Sequence, residues 1–137
     1  MSTTTRRKFI TDTGMAAMAG TAIFAANQHL QNKDMKKVFI HQVYFWLKNP
    51  GNTADRDKLV EGLNTLTKIK TIKNYHIGKP AAATRDVIDA SYAVSWLLIF
   101  DNDADQASYQ TDPVHLKFVE GYSNLWQKVI VYDSIDA

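Results

Sequence analysis

The stretch Val38-Phe-Ile-His-Gln-Val-Tyr-Phe-Trp-Leu47 decides the fold class of this chain. Successive side chains of a strand point to opposite faces. Here one face reads Phe39, His41, Val43, Phe45 and Leu47, and the other reads Val38, Ile40, Gln42, Tyr44 and Trp46. Because both faces are largely apolar, both are expected to be covered by other parts of the protein.

The rest of the sequence supplies helices for one of these faces. Ser91–Phe100 repeats the two-sided apolar pattern, Lys73–Gly78 is typical of an edge strand, and Val129–Tyr132 of a last strand. A helical stripe lies between the first two strands, formed by Leu59, Val60, Leu63, Leu66 and Ile69. Two more helices are expected before the last strand, one ending near Gln110 and one running from Asp112-Pro113 to about Gln127.

The predicted order of elements is β-α-β-β-α-α-β. This order predicts an α+β, ferredoxin-like fold, in which a four-stranded antiparallel sheet carries its helices on one face. The helices leave the second apolar face open, and an identical sheet from another copy would cover it. The pattern therefore predicts a homodimer.

The N-terminus has the features of an export signal. Thr5-Arg6-Arg7-Lys8-Phe9-Ile10 is a twin-arginine pattern, and an apolar run of small residues follows in 14–26. We divide the chain into a signal peptide (1–26), a polar linker (27–37) and one domain (38–137). The alternative is a disordered basic tail with a chance Arg-Arg pair. Export by the twin-arginine route predicts a periplasmic or secreted protein, with no membrane contact beyond an uncleaved signal.

Composition excludes several classes of protein. The 137 residues contain no cysteine, which excludes disulfides, thiolate nucleophiles and zinc–thiolate sites. Removing 1–26 lowers the formal net charge from +2 to 0, because Arg6, Arg7, Lys8 and Asp12 leave with it. A neutral domain has no general attraction to nucleic acid.

The segment Tyr109-Gln-Thr-Asp-Pro-Val-His115 is the best candidate for chemistry. Asp112 and Pro113 read as an N-cap and a first-turn proline. His115 then lies in the first turn of a helix, where the helix dipole disfavours its cationic form. The neutral imidazole that results can accept a proton near neutral pH.

The domain resembles the stress-responsive A/B barrel (Dabb) family. Five segments carry the resemblance: His41–Lys48, Ile72–Gly78, Tyr92–Phe100, Tyr109 with Asp112–His115, and Trp126 with Val129–Asp133. The resemblance implies a ferredoxin-like fold that dimerises into a mixed α/β barrel.

The resemblance also implies roles for four residues. In a polyketide-cyclising plant member of the family, a histidine at the position of His115 is the general base, and a tyrosine at the position of Tyr109 assists it. The strand-one histidine of the family matches His41 and its late-helix tryptophan matches Trp126, both as pocket wall. Many members have a histidine where this chain has Val94, and the cyclase has a tyrosine near Leu63.

Three functions stay open from the sequence. The first is a protein that binds a small, largely apolar or aromatic molecule, with lyase or cyclase chemistry. The others are a non-catalytic dimeric binding or stress-response module, and a haem- or quinol-type monooxygenase. His41 reads either as a satisfied core or interface histidine or as pocket wall. The histidine spacing predicts no metal site, and the first function needs no cofactor.

Overall fold

The computed structural model describes residues 37–137. The predicted signal peptide (1–26) and nearly all of the predicted linker (27–37) lie outside the described residues. Within 37–137, no helix is both long and apolar enough to cross a membrane.

The described residues form a four-stranded antiparallel sheet with three α-helices. The elements are β1 (Phe39–Leu47), α1 (Thr53–Leu66), β2 (Asn74–Gly78), β3 (Val94–Phe100), α2 (Asp103–Thr111), α3 (Pro113–Tyr122), a 3₁₀ turn (Ser123–Leu125) and β4 (Trp126–Ile135). The strand order is β2-β3-β1-β4. The predicted ferredoxin-like fold is confirmed, and β2 is an edge strand as expected.

Each helix begins at a polar side chain that binds the first free backbone N–H groups. Asn52 accepts from the Asp55 N–H at 3.1 Å, and Asn102 accepts from the Asp105 N–H at 2.9 Å. Asp112 accepts from the Val114 N–H at 2.8 Å, and proline follows it at the first position of α3. These caps fix where the chain turns between α2 and α3.

The last helix is shorter and the last strand longer than the sequence predicted. α3 ends at Tyr122 instead of continuing to about Gln127, and Trp126 is the first residue of β4. The reason is pairing with β1, which runs from Leu47↔Trp126 to Phe39↔Ile135. The Gln127 side chain also donates to the Leu47 carbonyl at 3.0 Å, which holds this part of the chain against β1.

The two faces of the sheet have different surroundings. The helix-covered face supplies the buried core residues of the strands: Val43, Phe45, Leu47, Val94, Trp96, Leu98 and Phe100. The opposite face carries half-buried apolar side chains, among them Ile40, Tyr44, Trp46, Leu97, Ile99 and Ile130. Within the described part of the chain, the helices pack on one face only, so the second face is open.

Candidate functional site

A cavity of about 170 Å³ lies between the helix-covered face of the sheet and helices α2 and α3. His41, Tyr109, His115 and Trp126, the four residues proposed from the sequence, all line it. Its other lining residues are Val43, Phe45, Trp96, Gln110, Phe118, Val119, Val129 and Val131. The walls are thus mainly apolar, with two imidazoles and one phenol among them.

The junction between α2 and α3 brings the phenol and one imidazole together. Tyr109 lies in the last turn of α2 and His115 in the first turn of α3. The Asp112 cap and Pro113 end one helix and begin the next within a few residues. The ring centroids of Tyr109 and His115 are 4.7 Å apart as a result.

His115 is held in one tautomer by the backbone. Its Nδ1 lies 3.0 Å from the carbonyl oxygen of Gln110. Because a carbonyl can only accept, Nδ1 carries the hydrogen and Nε2 keeps its lone pair. Burial lowers the pKa of His115 below its usual 6.5, and His41 adds to this, although the Gln110 carbonyl and Asp112 oppose it. The ring is a neutral base near pH 7.

Tyr109 is placed to donate a proton in a hydrogen bond. Its side chain is 1% exposed, and its hydroxyl accepts from the Trp96 indole N–H at 3.1 Å. Burial raises the pKa of Tyr109 to about 12, so the phenol is neutral. One lone pair is occupied by Trp96, which leaves the hydroxyl hydrogen for another acceptor.

His41 is both a satisfied buried histidine and part of the cavity wall, so the two interpretations from the sequence are compatible. It is 6% exposed, and its Nδ1 lies 2.5 Å from Oδ1 of Asp133. Asp133 is the residue directly opposite His41 on β4. Its ring also meets the Tyr109 ring edge to face, with centroids 5.9 Å apart.

Trp126 lines the cavity from a different element than expected. The sequence predicts it at the end of the last helix, but it begins β4. Its ring stacks on Phe118 at 5.7 Å and contacts Phe45 at 5.0 Å between centroids. The role as an apolar wall is compatible with either position, because strand pairing brings the ring onto the helix-covered face.

Two positions at which the resemblance implies polar groups do not reach this cavity. Val94 and Leu63 are fully buried in the hydrophobic core. Neither is among the lining residues. The histidine and tyrosine expected at these positions from the family are thus replaced by core packing, and the polar groups of the cavity come from β1, α2 and α3.

A larger cleft elsewhere in the described residues lacks a general base. An open cleft of about 400 Å³ at the start of α1 is larger, but its described lining contains Arg56 and Lys79 and no histidine or carboxylate. It offers no general base, so its greater size does not make it the better candidate. Within 37–137 there is also no group of three histidine or acidic residues that could hold a metal ion.

Comparison with known proteins gives the family. The profile of the stress responsive A/B barrel domain matches residues 39–136. The chain belongs to this family. Among curated proteins, none matches this Dabb chain.

Solved structures share the fold of this Dabb domain. A Dabb protein from Mesorhizobium loti is 19% identical, with a TM-score of 0.62 over 74% of this chain and 99% of that one. The hydroxynitrile lyase of Passiflora edulis is 20% identical, with a TM-score of 0.61 over 73% and 94%. A dimeric ferredoxin-like protein of unknown function from Thermobifida fusca is 16% identical, with a TM-score of 0.58 over 73% and 92%. At these identities the likeness establishes the fold.

Proposed function

We propose that this Dabb protein binds a small, largely apolar or aromatic molecule in the His115 cavity and acts on it by general-base catalysis, as a lyase or cyclase. One observation carries the proposal. A neutral imidazole with a free Nε2 and a phenol with a free hydroxyl hydrogen lie side by side in an apolar cavity.

The size of the cavity limits the ligand. An engineered apolar cavity of about 150 Å³ binds benzene, and the cavity here is about 170 Å³. One aromatic ring, or an aliphatic group of that size, would fill it. Three valines of the cavity lining are partly open to solvent: Val119 is 39% exposed, Val129 is 37% exposed and Val131 is 45% exposed. Substituents of the ligand can therefore extend past them towards solvent.

The chemistry follows from the two polar groups. His115 Nε2 takes a proton from a hydroxyl group or an acidic C–H of the ligand. The Tyr109 hydroxyl donates a hydrogen bond to the oxygen that becomes negative as the proton leaves. With a pKa of about 12, Tyr109 acts as a donor and not as the base. The same first step serves a lyase or a cyclase.

Hydroxynitrile cleavage is the first reaction to assay. The hydroxynitrile lyase of Passiflora edulis has the same fold, and a hydroxynitrile offers the hydroxyl proton that His115 is placed to remove. Mandelonitrile, which has one aromatic ring, matches the cavity in size.

The open apolar face of the sheet supports a homodimer whose two sheets face each other as a barrel, and the Thermobifida fusca protein of this fold is dimeric.

The twin-arginine pattern at Arg6 and Arg7 supports export to the periplasm or beyond. A reporter fused to 1–26 should be exported, and lysine at both arginine positions should stop its export.

A non-catalytic binding module is the second candidate, since the same cavity can hold a ligand without changing it. A haem or quinol monooxygenase is less favoured by size. Pockets for drug-sized ligands occupy about 300–1,000 Å³, and the His115 cavity is smaller.

The decisive variant is His115→Gln, with His76→Gln on the exposed edge strand as the control. General-base catalysis contributes about 100- to 10,000-fold to a rate. We expect His115→Gln to lose at least about 100-fold in mandelonitrile cleavage with little change in Tm, and His76→Gln to behave as wild type.

Other outcomes separate the candidates. Full turnover by His115→Gln would contradict the base assignment. Wild-type protein that binds benzaldehyde without cleaving mandelonitrile would favour the binding module. If wild-type protein neither binds benzaldehyde nor cleaves mandelonitrile, the proposal of a small aromatic ligand is wrong.

A further inference from the structure

His41 and Asp133 form a second acid–base unit on the wall of the same cavity. They lie opposite each other on β1 and β4, and His41 Nδ1 is 2.5 Å from Asp133 Oδ1. The histidine side chain is 7% exposed and the aspartate side chain is 42% exposed. The imidazole is therefore inside the protein, and its carboxylate partner lies at the surface.

The hydrogen bond to Asp133 fixes which ring nitrogen is free. A carboxylate accepts, so Nδ1 of His41 carries the hydrogen that it donates. Within residues 37–137, Nε2 of His41 makes no hydrogen bond, and His41 lines the cavity. Nε2 is thus the atom available to a ligand, as it is in His115.

The two imidazoles have partners of different charge. His115 faces the neutral carbonyl of Gln110, whereas His41 faces a carboxylate. The other groups that face His41 are the Tyr109 phenol from α2 and the His115 ring from α3, and its register partner on β3 is the apolar Leu98. A nearby opposite charge favours the charged form of a group, and a nearby like charge disfavours it. When one of the two rings is cationic, the negative charge of Asp133 therefore favours the extra proton on His41.

We propose that His41, oriented by Asp133, is the general acid of the site and delivers a proton to the group that leaves the substrate. This inference rests on the proposed function of His115 as the base. His41 is the group in contact with the substrate, and Asp133 is a positioning residue that acts through it.

The proton balance of hydroxynitrile cleavage shows what the pair would do. The substrate O–H bond breaks and its proton goes to Nε2 of His115. The O–H electron pair forms the carbonyl, and the C–CN bond breaks with its electron pair on cyanide. Cyanide takes the proton from Nε2 of the His41 imidazolium and leaves as hydrogen cyanide. His115 then releases its proton to solvent and His41 takes up a proton from solvent, which restores the starting state.

Nuclear magnetic resonance of the imidazole ¹⁵N nuclei tests the charge assignment without turnover. We expect both rings to carry hydrogen on Nδ1 at pH 7.5. Asp133→Asn keeps a side-chain acceptor and removes the charge, so it should move the His41 titration to lower pH. Asp86→Asn, in an exposed loop, should leave it unchanged.

Kinetics with mandelonitrile test the role itself. His41→Gln should lose about 100-fold in kcat. Asp133→Asn should keep KM, lower kcat and move the alkaline limb of the pH–rate profile to lower pH. Asp86→Asn should match wild type in each of these measurements.

Several results would overturn the inference, and they are distinct from failure of the proposed function. If Asp133→Asn leaves the His41 titration in place, His41 is not the acid. That conclusion holds whether or not mandelonitrile is a substrate. If His115→Gln abolishes turnover while His41→Gln keeps it, the base assignment stands and the acid assignment falls.

Discussion

Tyr109 joins the core of the protein to the cavity. Its hydroxyl accepts from the buried indole N–H of Trp96, and its ring contacts His41 and His115. One side chain therefore contributes to stability and to the candidate chemistry, and substitution should affect both.

Tyr109→Phe should destabilise the fold as well as weaken catalysis. It leaves the Trp96 N–H buried without an acceptor, which costs about 1–3 kcal/mol. Urea unfolding measures this loss, with Tyr75→Phe as the control, because the Tyr75 side chain is 45% exposed. Equal free energies of unfolding for wild type and Tyr109→Phe would show that the Trp96–Tyr109 hydrogen bond does not stabilise the protein.

His115 should make the stability depend on pH. Its pKa in the folded protein is lowered below 6.5, chiefly by burial. Between that lowered pKa and 6.5, the unfolded chain binds more protons than the folded chain. The contribution of neutral His115 to the free energy of unfolding is therefore fully present above pH 6.5. It is lost as pH falls towards the pKa of His115 in the folded protein.

Thermal unfolding from pH 8 to pH 5 measures this effect. His115→Gln should reduce the fall in Tm below pH 6.5, whereas His76→Gln on the exposed edge strand should keep it. An identical fall in wild type and His115→Gln would assign the pH dependence to other groups.

The residues of the site differ in how far the sequence could reveal them. The nearness of Tyr109 to His115 follows from the Asp112-Pro113 helix break, which is a local signal. Local sequence does not reveal their partners Trp96 and Asp133, because these meet Tyr109 and His41 only through tertiary packing and strand register.

At the scale of elements, α1 and α3 make close contact through Gly62. An added Cβ at Gly62 would lie 2.8 Å from three ring atoms of Tyr122. From sequence alone, a glycine inside a helix is expected only to weaken it, by about 1 kcal/mol relative to alanine. In the structure, the glycine makes room for an aromatic ring from the other helix.

Gly62→Ala should therefore destabilise the protein in spite of its better helix propensity. Overpacking costs about 1–3 kcal/mol, which exceeds the gain. Gly121→Ala is a matched control in α3, because no atom lies within 4 Å of its added Cβ. It should be neutral or stabilising by up to about 1 kcal/mol. Chemical denaturation compares the two, and a stabilised Gly62→Ala would contradict the close packing.

The boundary between α3 and β4 shows where local sequence signals fail. Ser123-Asn-Leu-Trp-Gln127 continues the helical spacing of apolar residues, so the sequence favoured a longer helix. The structure uses Trp126 and Gln127 to extend the pairing with β1 and places only a 3₁₀ turn before them. The strand that Trp126 and Gln127 pair with lies some 80 residues earlier in the chain. The local spacing of apolar residues therefore cannot reveal this pairing.

At the scale of the whole molecule, the two-sided strands predicted a surface that the helices do not cover. Half-buried Tyr44, Leu97 and Ile130 lie on that face in the described structure. The fold could be predicted because the alternation of side chains along each strand is visible in the local sequence. The partner that covers this face belongs to another molecule, so it stays a prediction.

Leu97→Asp should abolish the proposed dimer. A charge in the centre of a buried sheet face would be desolvated without a partner, which strongly disfavours association. Light scattering after size exclusion should give a dimer for wild type and a monomer for Leu97→Asp, with matching circular dichroism. Lys117→Glu, on the exposed side of α3, is the control and should stay dimeric. A monomeric wild type would contradict the prediction.

Calorimetric titration with benzaldehyde tests whether the His115 cavity holds a small aromatic molecule. Val119 lines the cavity from α3 and is 39% exposed, so tryptophan at this position can fill the space without entering the core. We expect saturable binding to wild type and no detectable binding to Val119→Trp, with the same Tm for both proteins. Equal binding to both proteins, or no saturable binding to wild type, would contradict it.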